Sequence, residues 1–382
     1  MSVSIISRRS FSKLLGVSTA YAALHHRSEA MARPSGLVSH LPTSPTIVRL
    51  SSNENPYGPS PAALKAMTDG FGLTWRYPDE YADMLADELA KLNQVPVNQI
   101  LLGAGSGEIL KLCAASFASP DKKLVMANPS FEAIGRHAGV ANAEVVKVAL
   151  TSDYRHDLEK MLEVSGGKAT VNGSVGLIYI CNPNNPTGSI TPKSELAAFL
   201  TKVPATTMVV VDEAYHHYAE TKDYESVIPL VKDHPNLIVL RTFSKIYGMA
   251  GLRCGYCVSQ PNNLGHLTRH QFFDSVNILA ILAALASLKD RDHVDKGRQL
   301  NSDVKKHLCT ELDSLGYRYI QSHTNFIMID LRREVRPVIA ALRERNVEVG
   351  RLFPALPTFM RVTIGTDTQM QSFMTSLKEV MT

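Results

Sequence analysis

One stretch, Met208-Val209-Val210-Val211 followed at once by Asp212-Glu213, limits the folds open to this chain more than any other. Four apolar, mostly β-branched residues without alternation do not suit a strand with one wet face. They suit a strand covered on both sides, hence a mostly parallel sheet flanked by helices. Short apolar runs bounded by Pro, Gly or Asn recur at Ile100–Leu102, Leu124–Met126, Val145–Val148, Gly176–Ile180 and Leu237–Leu240. Between them the spacing predicts helices over 61–69, 79–93 and 107–118, the last with Ile109, Leu110, Leu112 and Cys113 on helical spacing. The expected fold class is α/β.

After Cys257 the pattern changes. Residues 271–316 read as mainly helical, followed by a strand at 326–329, a helix near 335–345, a strand at 360–364 and a C-terminal helix, which together make a smaller α+β unit. At about 100–200 residues per domain, 382 residues accommodate about two domains, and the change places a boundary near 265–275. The expected organisation is a leader over 1–32, an N-terminal arm over 33–60, a large domain over 61–270 and a small domain over 271–382.

The leader differs from everything that follows. Arg8, Arg9 and Lys13 precede a short apolar stretch, Leu14–Leu24, and then Ala30-Met31-Ala32, a small-x-small cleavage pattern. The segment Ser7-Arg8-Arg9-Ser10-Phe11-Ser12-Lys13 is similar to a twin-arginine export signal, which implies a periplasmic or exported protein. A basic unstructured N-terminus, or an organelle transit peptide, are the other readings, and the first of these leaves the protein in the cytoplasm. Arg8, Arg9, Lys13 and Arg27 against Glu29 carry most of the chain's +4 net charge. That balance is too weak for a nucleic-acid partner. A hydrophobic fraction of 45% and no apolar run of about 18 residues exclude a disordered tail and stable membrane insertion.

Chemistry gathers where the strands end, and in open α/β sheets ligands lie at the carboxyl ends of strands. Gly103-Ala104-Gly105-Ser106-Gly107-Glu108 sits between a strand and a helix, where exposed backbone amides attract an anion. Its spacing is not that of a dinucleotide fingerprint. Cys181-Asn182-Pro183-Asn184-Asn185-Pro186-Thr187-Gly188 forms a rigid turn expected to point its amide side chains outward. Asp212 leaves a buried strand as in a P-loop ATPase, but the chain lacks the matching glycine-lysine loop. Arg241-Thr242-Phe243-Ser244-Lys245 follows the strand at 237–240. An acid, an asparagine, a tyrosine, a lysine and an anion site on neighbouring strand ends together make a pyridoxal phosphate pocket. Cys254-x-x-Cys257 has no second pair nearby and reads as structural, and His216-His217 lacks a third ligand, so no metal is expected.

The segments Ser52-Asn53-Glu54-Asn55-Pro56-Tyr57-Gly58-Pro59, Asn182–Gly188, Asp212-Glu213-Ala214-Tyr215, Ser244-Lys245, Ala250-Gly251-Leu252-Arg253 and Met360-Arg361-Val362 carry a resemblance over roughly residues 48–380. Together they are similar to the fold type I class I/II aminotransferases, most of all the histidinol-phosphate aminotransferase family. The resemblance implies pyridoxal 5′-phosphate as cofactor. Lys245 would form the Schiff base and move protons, Asp212 would keep the pyridinium nitrogen protonated, and Asn185 and Tyr215 would hydrogen-bond the 3′ oxygen. Phe131 would stack on the ring where many members carry Tyr. The phosphate would meet the Ala104-Gly105-Ser106 backbone, Ser244 and Arg253, joined by Tyr77 from the neighbouring subunit of a homodimer. Arg361 would hold the substrate's carboxylate or an equivalent anion. Arg351 reads either as a second substrate-phosphate arginine or as a surface arginine. The implied reaction moves an amino group between an L-amino compound, histidinol phosphate-like or aromatic or other, and a 2-oxo acid such as 2-oxoglutarate. A decarboxylase or lyase of the same fold, similar to phosphothreonine decarboxylases, is the alternative. An export leader argues against an intracellular biosynthetic substrate.

Overall fold

The computed structural model of the protein describes residues 47–166 and 174–382. The expected leader, 1–32, and the arm up to residue 46 lie outside the described residues. The strands are β1 (Val48–Leu50), β2 (Ile100–Gly103), β3 (Lys122–Asn128), β4 (Val145–Ala149), β5 (Ser174–Cys181), β6 (Met208–Asp212), β7 (Leu237–Thr242), β8 (Gly255–Ser259), β9 (Arg318–Ile320), β10 (Phe326–Asp330), β11 (Val347–Val349) and β12 (Phe359–Thr363).

Seven of them form one sheet in the order β2-β8-β7-β6-β5-β3-β4. All neighbouring pairs from β7 to β4 are parallel, and β8 alone runs against its neighbours. The unbroken apolar runs now have their explanation. In β6, Val209 and Val211 enter one core while Met208 and Val210 enter another, and in β7 Leu237 and Val239 part from Ile238 and Leu240 in the same way. Each face has its own cover, so every residue along the strand must be apolar. Cys254 and Cys257 fall into those two different cores, so their spacing in sequence brings no shared site.

The helices begin where sequence chemistry allows. Ser60 caps the Pro61–Gly70 helix by accepting the Ala63 amide at 3.1 Å, with proline at the first helical position. Asn277 caps Ile278–Lys289 by accepting from Ala280 at 2.9 Å. That helix is apolar nearly all round and packs on the helices Pro61–Gly70 and Asp79–Asn93. Its Ala280, Ile281, Ala283 and Ala284 belong to the core of the seven-stranded sheet. The helix that follows the expected boundary near residue 270 thus shares the core of the large sheet. The chain passes to a separate core only along the Arg291–Ser314 helix, where Val304, Leu308 and Leu312 join β10 and β12. A helix apolar nearly all round has to be buried on every side, and Ile278–Lys289 meets this between the sheet's core and the helices Pro61–Gly70 and Asp79–Asn93.

The second core is built on the antiparallel sheet β12-β10-β9, with β1 pairing parallel to β11 beside it. Leu50 of β1 is part of this core. The residues just after β1 are thereby delivered to the carboxyl edge of the large sheet.

Candidate active site

At that edge lies a cavity of about 360 Å³ lined by strand-end and loop residues, among them Asn53, Ser106, Phe131, Asn185, Asp212, Tyr215, Ser244, Lys245, Arg253 and Arg361. The parallel register sets Cys181 against Asp212, so the 182–188 turn and the residues after β6 emerge side by side.

Asp212 is 2% exposed. Its Oδ2 accepts from the Tyr179 hydroxyl at 3.0 Å and its Oδ1 from the Ala214 amide at 3.1 Å. Burial nevertheless pushes its pKa up to about 6, against these bonds and the Lys245 charge. A carboxylate held in this way lacks a full counter-charge and would be satisfied by a protonated ring nitrogen. The sequence signal for Tyr179 is its lone hydroxyl on a doubly covered strand, which must find an acceptor.

Lys245 sends its Nζ to the Asn53 carbonyl at 3.1 Å and, less closely, to that of Ser52 at 3.4 Å. Burial first and the Arg361 charge second, with Glu54 and Asp212 opposing, bring its pKa from 10.5 down to about 8. Tyr215 is buried, with its ring edge-on to Phe326 at 5.1 Å. Its hydroxyl accepts from Asn53 Nδ2 at 2.9 Å and from Asn185 Nδ2 at 3.5 Å.

The asparagine turn sorts its three amides. Asn182 is tied to the Thr191 backbone in both directions, and Asn184 to Ser130, Pro129 and Thr187, so only Asn185 faces the cavity. The expectation of outward amides fails for the first two because a buried turn must satisfy its own backbone. Asn185 Oδ1 accepts from Arg361 Nη1 at 2.7 Å, and Arg361 Nη2 donates to the Ser51 carbonyl at 2.6 Å. Arg361 Nε is buried with no partner. Phe326 and Phe353 lie within 5.6 and 5.3 Å of the guanidinium, and burial lowers its pKa. A guanidinium with spare donors is ready for an incoming anion.

At the far end the helix Ser106–Phe117 starts at the cavity, with Ser106 and Gly107 on the lining. Arg253, in a left-handed conformation, donates to Ser244 Oγ at 3.4 Å and to the Ala250 carbonyl at 3.0 Å. Gly105, at φ 77°, packs so closely under Arg253 that any side chain would meet the guanidinium. The Ala104 and Gly105 amides, expected at the phosphate, have partners of their own. The Ala104 amide donates to Glu108 Oε2 at 2.7 Å and that of Gly105 to the Gly103 carbonyl at 2.7 Å, so neither is available. The Ser106 and Gly107 amides start the helix with no intrahelical acceptor, which leaves them open to an anion.

Two expected residues stay outside the cavity in this chain. Arg351 is exposed, pairs with Glu132 at 2.8 Å, lies over Phe353 at 4.3 Å, and its charge adds to the lowering of the Arg361 pKa. Tyr77 is 77% exposed. Asn53, quoted above only as part of a motif, proves to link Tyr215 and Lys245.

An amine, a buried acid, Phe131 on the cavity wall and an anion cradle of Ser106, Gly107, Ser244 and Arg253 fit pyridoxal 5′-phosphate. Lys245 would bind it covalently, Asp212 would pair with its ring nitrogen, and the cradle would take its phosphate. When bound, the cofactor acts as an electron sink for bonds at the substrate's amine-bearing carbon.

This site and fold define a class. The family Aminotransferase class I and II matches residues 45–377, and the chain belongs to it, as a pyridoxal phosphate-dependent aminotransferase of fold type I. Among curated proteins it is 39% identical to the histidinol-phosphate aminotransferase of Moorella thermoacetica over 338 residues, 88% of this chain and 86% of that one. It is 40% identical to that of Symbiobacterium thermophilum over 333 residues, 87% of this chain and 90% of that one. The crystal structure of histidinol-phosphate aminotransferase from Sinorhizobium meliloti in complex with pyridoxal-5′-phosphate is similar at TM-score 0.82 and 27% identity, covering 92% of this chain and 98% of that one.

Proposed function

We propose that the amino donor is a small L-amino compound with an anionic group, a carboxylate or a phosphate ester, near its amine-bearing carbon, and that a 2-oxo acid such as 2-oxoglutarate takes the amino group. The observation that carries this reading is Arg361, buried at the cavity wall with an unpartnered Nε and a partner, Asn185, that an anion can replace. Histidinol phosphate is the first candidate, supported by the relatives' activity, and an aromatic or other amino acid is the second. Lys245, alternately free and engaged, would carry the proton at the reacting carbon, and Asp212 would hold the ring nitrogen charged. A panel of donors, histidinol phosphate included, with 2-oxoglutarate and cofactor-loaded protein lacking residues 1–32 decides the matter. Glutamate formation from one donor supports the reading. Carbon dioxide release without consumption of the oxo acid assigns the protein to the decarboxylases instead.

The dimer and the export route belong to the same proposal. Trp75, Tyr77, Phe272 and Phe273 are 77–89% exposed, an apolar surface that a second copy would cover, with Tyr77 reaching the neighbouring phosphate cradle. The twin-arginine-like leader would send the folded, loaded enzyme out of the cytoplasm. N-terminal sequencing of protein from its native compartment tests this: a start at Met1 removes the export argument. Among the described residues no helix is long and apolar enough to cross a membrane.

A further inference from the structure

We propose that Asn53 is a positioning residue which turns the Tyr215 hydroxyl into a donor toward the cavity and steadies the free Lys245 amine; the inference rests on the cofactor reading of this site. Asn53 is 1% exposed and sits at φ 55°, a left-handed conformation that asparagine tolerates better than most residues. Every polar group it owns is engaged. Its amide N–H donates to Thr363 Oγ1 at 2.9 Å, and the Thr363 hydroxyl returns its proton to Asn53 Oδ1 at 3.3 Å. With Oδ1 toward Thr363, the threonine proton has its acceptor and the Asn53 N–H keeps the threonine oxygen, so this orientation satisfies both residues. The Nδ2 end is thereby aimed at Tyr215 Oη, at 2.9 Å.

The consequence falls on Tyr215. Its oxygen accepts from Asn53 Nδ2 and, more weakly, from Asn185 Nδ2, and neither amide nitrogen can accept a proton in return. The hydroxyl proton must therefore point elsewhere, and Tyr215 lines the cavity. Without Asn53 in this orientation the tyrosine could equally accept from the ligand. At the same time the Asn53 carbonyl accepts from Lys245 Nζ at 3.1 Å and from Asn325 Nδ2 at 3.1 Å, so the lysine's resting contact is a carbonyl pinned from the far side. Thr363 and Arg361 lie two residues apart on β12. One strand thus carries the guanidinium that receives the substrate anion and the hydroxyl that orients Asn53, and Asn53 joins that strand to the two groups nearest the chemistry.

The test uses two substitutions that both accept the left-handed backbone. Asn53→Gly removes the side chain without strain. Asn53→Asp keeps the shape but presents a carboxylate oxygen to Tyr215, which draws the tyrosine proton away from the cavity. A donor to the cofactor's 3′ oxygen favours its anionic form and keeps the pH midpoint of the lysine-bound absorption band low. In loaded protein Asn53→Asp should raise that midpoint by about one unit and lower kcat about tenfold or more with KM little changed. Asn53→Gly should give a smaller shift in the same direction, with unfolding temperatures recorded for both. An Asn53→Asp midpoint and kcat equal to wild type overturn the proposal. So does an Asn53→Gly defect as large as that of Asn53→Asp, which would assign Asn53 to packing alone. A wild-type protein with no such band fails the cofactor reading, and this inference with it; a normal band that Asn53→Asp does not move fails this inference alone.

Discussion

With its pKa lowered to about 8, Lys245 keeps about a tenth of its amines neutral at pH 7, where an ordinary lysine keeps fewer than one in a thousand. Only the neutral amine can attack a carbonyl. Capture of added pyridoxal phosphate by the cofactor-free protein should therefore quicken about tenfold per pH unit up to about pH 8 and then level off, as stopped-flow absorbance can follow. A plateau near pH 10 would show an unperturbed lysine. The sign for stability follows from the same shift. A lysine whose folded pKa is depressed costs stability below about pH 8, and that cost fades as pH rises toward 10.5 and the unfolded chain loses its proton as well. Lys245→Ala should abolish the visible band altogether, and an unchanged spectrum in that variant would reject the assigned lysine. Arg361→Ala should weaken kcat/KM for anionic donors by about 2–4 kcal/mol, mostly through KM. Because Arg361 is a cation that lowers the Lys245 pKa, the same variant should also move the capture plateau to higher pH. Unaltered kinetics and plateau would place the anion elsewhere.

At the scale of elements, the site depends on how closely two backbone segments approach. A Cβ on Gly255, the first residue of β8, would stand 2.6 Å from the Ser106 nitrogen and 2.9 Å from the Gly105 carbonyl carbon, and neither backbone atom can swing aside. Gly255→Ala should cost about 1–3 kcal/mol of stability and weaken pyridoxal phosphate binding, read by thermal unfolding and by cofactor titration. A variant with both values at wild type would show that the helix start has room to shift. The Gly103–Glu108 turn was legible as an anion site from its small residues beside a strand. Which of its amides remain free was not, because Glu108 reaches back to Ala104 only once the helix has formed. Strand spacing likewise marked β5, β6 and β7 within a residue or two, since a doubly covered strand must be apolar throughout. The short strands β1, β9 and β11 have three residues each and carry no periodicity to read.

For the whole molecule, the dimer proposal makes Tyr77 a residue of the neighbouring site. Mixing Lys245→Ala and Tyr77→Ala proteins under subunit exchange should give more activity than the two parents summed, because one site of each mixed dimer then holds both intact groups. If Tyr77 serves its own subunit, or if sedimentation finds a monomer, no such gain arises. The apolar Ile278–Lys289 helix resembles the start of a second domain in sequence but packs on the first core. The sequence by itself determined the class of fold and the cofactor, because buried parallel strands and the groups at their ends leave local patterns. Tertiary structure alone decided which asparagine faces the cavity, which amides remain to bind phosphate, where Arg351 turns and how Asn53 joins Tyr215 to Lys245. Those are contacts between segments up to about three hundred residues apart, as between Asn53 and Thr363, and a hydrogen bond's direction is set by both partners and never by one stretch of chain.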